Sequence, residues 1–135
     1  MKKKSLILGI ACAALVAACS SSGSGDDAGS DAAVVNGCTA YTDMTTGTAV
    51  INGPSTAAAA QYSPNCIHVK VGQSVTWNSD FADHPLVAFG GDSPNPIQST
   101  ATGTTVTFAF PNAGTFGYHC GIHTTLMFGA VEVTP

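Results

Sequence analysis

An all-β sandwich is the fold class that this 135-residue sequence predicts. Apolar and polar residues alternate with period two over several short runs, the pattern of strands with one buried face. Clusters of Gly, Pro, Asn and Ser separate the runs, and no amphipathic helical pattern persists. Short strands with frequent turns imply an antiparallel or mixed sandwich with Greek-key connections.

Residues 48–52 predict a weak first strand, and the alanines at 57–60 one helical turn. Ile67, Val69, Val71, Val75 and Trp77 share one parity, with His68, Lys70 and Thr76 on the other. Gly72-Gln73 interrupts them, so the segment reads as two short strands or one bent strand. Residues 89–103 are rich in Gly, Pro, Ser and Thr and read as a long surface loop. Val106, Phe108 and Phe110 then alternate with Thr105, Thr107 and Ala109, and residues 111–114 form a turn. Phe116, Tyr118 and Cys120 share a parity, which points Cys120 inward and His119 outward. Val131 and Val133 mark the final strand.

The N-terminal third has a different character. Lys2, Lys3 and Lys4 precede an apolar stretch over residues 6–18 that is too short to span a bilayer and suits an export signal. Residues 1–18 are therefore expected to be a signal peptide. Val16, Ala17, Ala18 and Cys19 resemble a bacterial lipobox, and that resemblance makes Cys19 an acylated N-terminus. Residues 19–37 are small, polar and acidic and read as a flexible tether, which leaves 38–135 as one folded domain. The expected location is the bacterial cell envelope, lipid-anchored and facing the periplasm or cell surface.

Loss of the leader would leave Lys70 alone against eight acids, taking the formal charge from −4 to −7. There is no Arg. Nucleic-acid binding needs clustered Lys and Arg, so that class is excluded. An acidic surface suits steering toward a basic partner, although solubility alone also explains it.

The chemistry concentrates near the C-terminus. Cys120, His123 and Met127 fall within eight residues at the mouth of the final strand, and His84 stands upstream between Asp83 and Pro85. The short loop must turn tightly, so its donors can converge while His84 arrives from another strand end. Two His, one Cys and a weak Met form the set that selects copper and suits electron transfer. His68 and His119 have outward parity, and Met44 has no partner motif, so none of the three is expected to be a ligand.

At these residues the chain resembles the cupredoxins, the small blue-copper proteins such as plastocyanin, pseudoazurin and amicyanin. Their pattern is an upstream His, then Cys-x-x-His, then Met before Gly-x-Val-x-Val. Here it reads His84, Cys120, His123, Met127, then Gly129, Val131 and Val133. The resemblance implies a cupredoxin-like Greek-key sandwich, one Cu(I)/Cu(II) ion, and metal ligands His84, Cys120, His123 and Met127. Two departures stand out. Three residues separate His123 from Met127, between the loop lengths of amicyanin-like and plastocyanin-like members. Pro85 follows His84 where relatives often carry Asn, and Pro has no N–H. A hydrogen bond to the sulfur must then come from elsewhere, Asn78 being one candidate, or be absent.

With Cys12 discarded in the leader, Cys19 lipidated and Cys120 a ligand, Cys38 and Cys66 remain. In an exported chain such a pair suits a disulfide. Two free thiols or a second soft-metal site are the alternatives, and pairing alone keeps them from competing with Cys120 for copper.

The function these features imply is a monomeric type I copper electron carrier, not an enzyme. It would serve redox partner proteins such as cytochromes or oxidoreductases. Pro85, Leu86, Ile122, Leu126 and Phe128 are expected to form an apolar docking patch around His123. A copper-handling role without electron transfer remains the alternative. A copper enzyme would need further His ligands, often as His-x-His, which the sequence lacks. Zinc is disfavoured because Met serves it poorly.

Overall fold

A computed structural model describes residues 34–54 and 60–135. The export signal, Cys19 and most of the tether lie outside these residues, as does nearly all of the helical turn expected at 57–60. Every regular element among the described residues is a strand. They are β1 (Thr42–Asp43), β2 (Ala49–Asn52), β3 (Cys66–Lys70), β4 (Ser74–Asn78), β5 (Leu86–Gly91), β6 (Thr105–Ala109), β7 (Gly114–Cys120) and β8 (Phe128–Thr134).

Two sheets result. One has the order β1-β3-β8-β7-β5 and the other β2-β4-β6. Both are mixed. β3 pairs parallel with β1 and β8, and β7 antiparallel with β8 and β5. In the smaller sheet β2 runs parallel to β4 and β6 antiparallel to it. The alternation expected from the sequence carries the packing. Ile51, Ile67, Val69, Val75, Trp77, Phe110, Phe116, Tyr118, Val131 and Val133 turn inward and fill one core between the sheets. Burying a side chain of this kind contributes about 1.5–3 kcal/mol, so this core outweighs any single surface contact.

Three features depart from the sequence expectation. Residues 89–91 belong to β5 and not to a loop. Gly90 and Gly91 take φ of 78° and 79°, and the register with β7 shifts between Ala88 and Gly91. A bulge of this kind breaks the period-two pattern by which strands are read. Val71 is 42% exposed although it shares parity with Val69. Gly72, at φ 88°, turns the chain two residues after β3 ends, which throws Val71 off the inner face.

The third departure concerns where packing begins. It starts at Val35, inside the segment assigned to the tether. Val35, Cys38 and Ala130 are buried together on the outer face of the larger sheet, with Tyr41 and Cys66 against them. Asn36 and Gly37 both have positive φ, 49° and 71°, and the Cys38 N–H donates to Val35 O at 3.0 Å. Asn-Gly is the pair that tolerates two successive left-handed residues. Cys38 is disulfide-bonded to Cys66 at the start of β3, with Cα atoms 5.8 Å apart. The bridge pins this N-terminal segment across the sheet.

Candidate metal centre

His84 is positioned by a turn after β4. Its N–H donates to Asp80 O at 2.8 Å, while the Asp80 carboxylate accepts from the Ala82 N–H at 3.1 Å. A side chain that caps its own downstream backbone fixes such a turn. Pro85 follows, then Leu86 pairs in register with Cys120. The register sets His84 beside the end of β7.

The loop from Cys120 to Met127 is closed by main-chain bonds. The Cys120 N–H donates to Met127 O at 2.8 Å. The N–H groups of Leu126 and Met127 both donate to His123 O, at 3.1 and 2.9 Å. The Gly121 N–H donates to Pro85 O at 2.7 Å, which ties the loop to the His84 segment. Three candidate donors thereby meet. Cys120 Sγ lies 3.9 Å from His84 Nδ1 and 3.6 Å from His123 Nδ1. All three donor atoms lie within 4.8 Å of one another. A metal bonded at about 2.0–2.3 Å holds nitrogen and sulfur donors about 3.5–3.8 Å apart in tetrahedral to trigonal geometry. The observed spacing fits a single metal ion. His84 and Cys120 are buried and His123 is half-buried, so among these three it faces solvent most. Met127 is fully buried at the end of the same loop.

The donor to the sulfur differs from the expected one. The Asn78 side chain donates to Asn52 Oδ1 at 3.3 Å and accepts from Thr105 Oγ1 at 3.0 Å, so it is engaged in the smaller sheet. The His123 N–H approaches Cys120 Sγ at 3.5 Å instead. The loop supplies from its own backbone what Pro85 cannot. The expected apolar patch also changes. Ile122 and Leu126 are exposed and Pro85 and Phe128 half-buried, but Leu86 is fully buried in the core and leaves the patch. Neither His68 nor His119 joins the cluster. His68 Nε2 pairs with Thr134 Oγ1 at 2.7 Å, and His119 stacks on Phe89 with ring centroids 4.4 Å apart.

An aromatic floor lies in the core that also holds Cys120. Tyr118 meets Tyr62 edge-on at 5.1 Å and Trp77 at 5.3 Å, and its hydroxyl donates to Asn65 O at 2.7 Å. Burial raises the pKa of both phenols above the usual 10.0, with the Cys120 charge adding to the rise at Tyr62. A phenol whose folded pKa is raised stabilises the fold fully below its unfolded pKa and loses that contribution as pH climbs. Unfolding midpoints in denaturant should therefore be insensitive to these two groups at neutral pH and fall steeply above about pH 10. Tyr62→Phe should flatten that fall; an unchanged alkaline limb would exclude Tyr62 as its source.

No protein-family model matches the chain, and no curated protein matches it. Solved structures do. An oxidised mutant of amicyanin is 28% identical, with 65% of this chain covering 83% of the amicyanin and a TM-score of 0.50. The fold is that of the cupredoxins. A purple cupredoxin from Nitrosopumilus maritimus is 25% identical over 63% of this chain and 98% of its own, with a TM-score of 0.48. A copper-containing nitrite reductase from Thermus scotoductus is 19% identical over 64% of this chain and 22% of its own, with a TM-score of 0.49. Within the cupredoxin fold seen here, the cluster stands where β5 begins, β7 ends and β8 begins.

Proposed function

We propose that this chain is a type I copper protein that carries single electrons between partners at the bacterial envelope. The observation that carries the reading is the convergence of one sulfur and two imidazole nitrogens, with Met127 buried at the end of the same loop. Thiolate with imidazoles and a weak thioether is the combination that favours copper over zinc. A copper ion in that set would supply Cu(II)/Cu(I) chemistry, one electron at a time.

The chain's own residues do the rest. Cys120 offers the thiolate that couples strongly to copper. His84 is held by the Asp80 turn and shielded from water. His123 is half-buried, on a loop whose Ile122 and Leu126 are 60% and 65% exposed. Electrons would pass through that imidazole to a partner docked briefly over the apolar rim. Small interfaces suit such encounters. Four ligands leave no open position for a substrate, which supports a carrier over an enzyme. The −7 charge expected of the mature chain would steer a basic partner, and acylation at Cys19 would keep the carrier at the membrane.

Met127 should tune the site and not hold it. Met127→Leu removes a donor that helps Cu(II), so the reduction potential should rise. Each tenfold gain in relative preference for Cu(I) is about 60 mV. Met127→Gln offers a harder oxygen and should lower it. His84→Ala and His123→Ala should instead weaken copper retention or admit external imidazole. Electrochemical titration of the four variants separates these outcomes. Equal potentials in both Met127 variants and the parent would mean Met127 is core packing alone.

A further inference from the structure

Asn36 lies in the segment that the sequence assigns to the tether, yet its side chain spans three strands of the larger sheet. Asn36 Nδ2 lies 2.9 Å from Phe89 O on β5, 3.2 Å from Tyr118 O on β7 and 2.9 Å from Gly129 O on β8. The ends of these strands flank the candidate ligands. β5 begins two residues after His84, β7 ends in Cys120, and β8 begins one residue after Met127. Tyr118 and Gly129 are each two residues from a candidate ligand, on the two sides of the closing loop. Phe89 lies in the interval where β5 and β7 lose register. At Phe89 the amide therefore supplies a donor where the β5–β7 ladder is interrupted, while Tyr118 and Gly129 face each other in the continuous β7–β8 ladder.

The surroundings are shaped for this side chain. A Cβ at Gly117 would collide first with the backbone oxygen of Phe89, and would also sit 2.7 Å from Asn36 Nδ2 and 2.8 Å from Val35 Cγ1, so Gly there lets both β5 and this side chain approach. A Cβ at Gly90 would sit 3.3 Å from Asn36 Oδ1. The backbone of Asn36 is held at φ 49° by the turn to Cys38, and Cys38 is anchored through the disulfide to β3. An amide held by its segment's turn and set against three carbonyls, two of them on facing residues of β7 and β8, ties the strand ends together.

We infer that Asn36 is a positioning residue for the metal centre, a latch that sets the relative placement of the strand ends bearing His84, Cys120 and Met127. It touches no candidate ligand side chain and acts through backbone. Preorganised ligands limit the rearrangement that accompanies electron transfer, so a residue that fixes strand ends acts on the copper chemistry from behind the sheet.

This inference rests on the copper reading for its consequence but not for its geometry, and the test separates the two. Asn36→Gly keeps the left-handed backbone and removes the amide. Asn36→Asp keeps the shape and turns the donor into an acceptor facing three carbonyls. Ile51→Val, in β2 of the other sheet, serves as a control for general loss of stability. In the metal-free full-length protein, hydrogen exchange at the Cys120 and Gly121 amides, which bond Met127 O and Pro85 O, should quicken by about tenfold or more in Asn36→Gly and not in the control. In the copper-loaded protein the same variant should shift the potential and the copper EPR parameters, while the control leaves both unchanged. Asn36→Asp should exceed Asn36→Gly in each readout, or fail to fold. Exchange at Cys120 and Gly121 that rises no more in Asn36→Gly than in the control would overturn the latch. A parent protein that takes up no copper would overturn the proposed function and leave the exchange comparison decisive for Asn36.

Discussion

Cys120→Ser should abolish the intense visible absorption of the copper-loaded protein and leave the sandwich folded. The band expected of a type I site is charge transfer from thiolate sulfur to copper, and a hydroxyl cannot supply it. Cys120 is fully buried at the end of β7 with its N–H bonded to Met127 O, and that backbone bond does not depend on the side chain. The variant should therefore keep its β-sheet circular dichroism, at a cost of about 1–3 kcal/mol for placing a hydroxyl in the core. Copper retention should fall as well, since a neutral hydroxyl is a far weaker ligand than a thiolate. Titration with Cu(II) followed by visible spectroscopy checks all three points. A serine variant that stays intensely coloured would remove Cys120 from the ligand set.

Breaking the Cys38–Cys66 bridge should be the costliest single change to stability. The bridge closes a separation of 28 residues, for which chain entropy gives about 3–4 kcal/mol. Set against a total of about 5–15 kcal/mol for a domain, that is a large share. The double variant Cys38→Ser with Cys66→Ser should lower the denaturation midpoint accordingly, and Val35 and Asn36 should lose protection with it. Chemical denaturation of the parent and the double variant measures the difference; a loss below 1 kcal/mol would mean that the N-terminal strap holds by packing alone.

Much of this was legible in the residues. The core parity of Ile67, Val69, Trp77, Phe116 and Tyr118 follows from period two, and that same parity turns Cys120 inward. The Cys-x-x-His spacing and the short path to Met127 describe a loop whose main-chain bonds nearly dictate its shape. What stayed hidden was set by contacts distant in sequence. β5 hides behind the glycine pair that forms its bulge, because periodicity fails where the register shifts. Leu86 looks like a surface residue beside His84 until its pairing with Cys120 turns it into the core. Asn78, free to reach the sulfur in a linear reading, is committed to Asn52 and Thr105 by strand pairing. Asn36 lies beyond a composition boundary, and only its Asn-Gly pair signals a turn there. Its three carbonyl partners are 53 to 93 residues away, a distance no local pattern encodes.

His84, Cys120 and His123 are expected to bind one copper ion as a type I redox centre. Visible absorption and EPR of the copper-loaded protein, recorded through a one-electron reductive titration, test it most directly. The expected result is one copper per chain, an intense sulfur-to-copper band with a narrow copper hyperfine splitting, and loss of both after one electron equivalent, with full return on reoxidation. A pale Cu(II) species with the wide splitting of a tetragonal nitrogen and oxygen site, or a chain that takes up no copper, would contradict it.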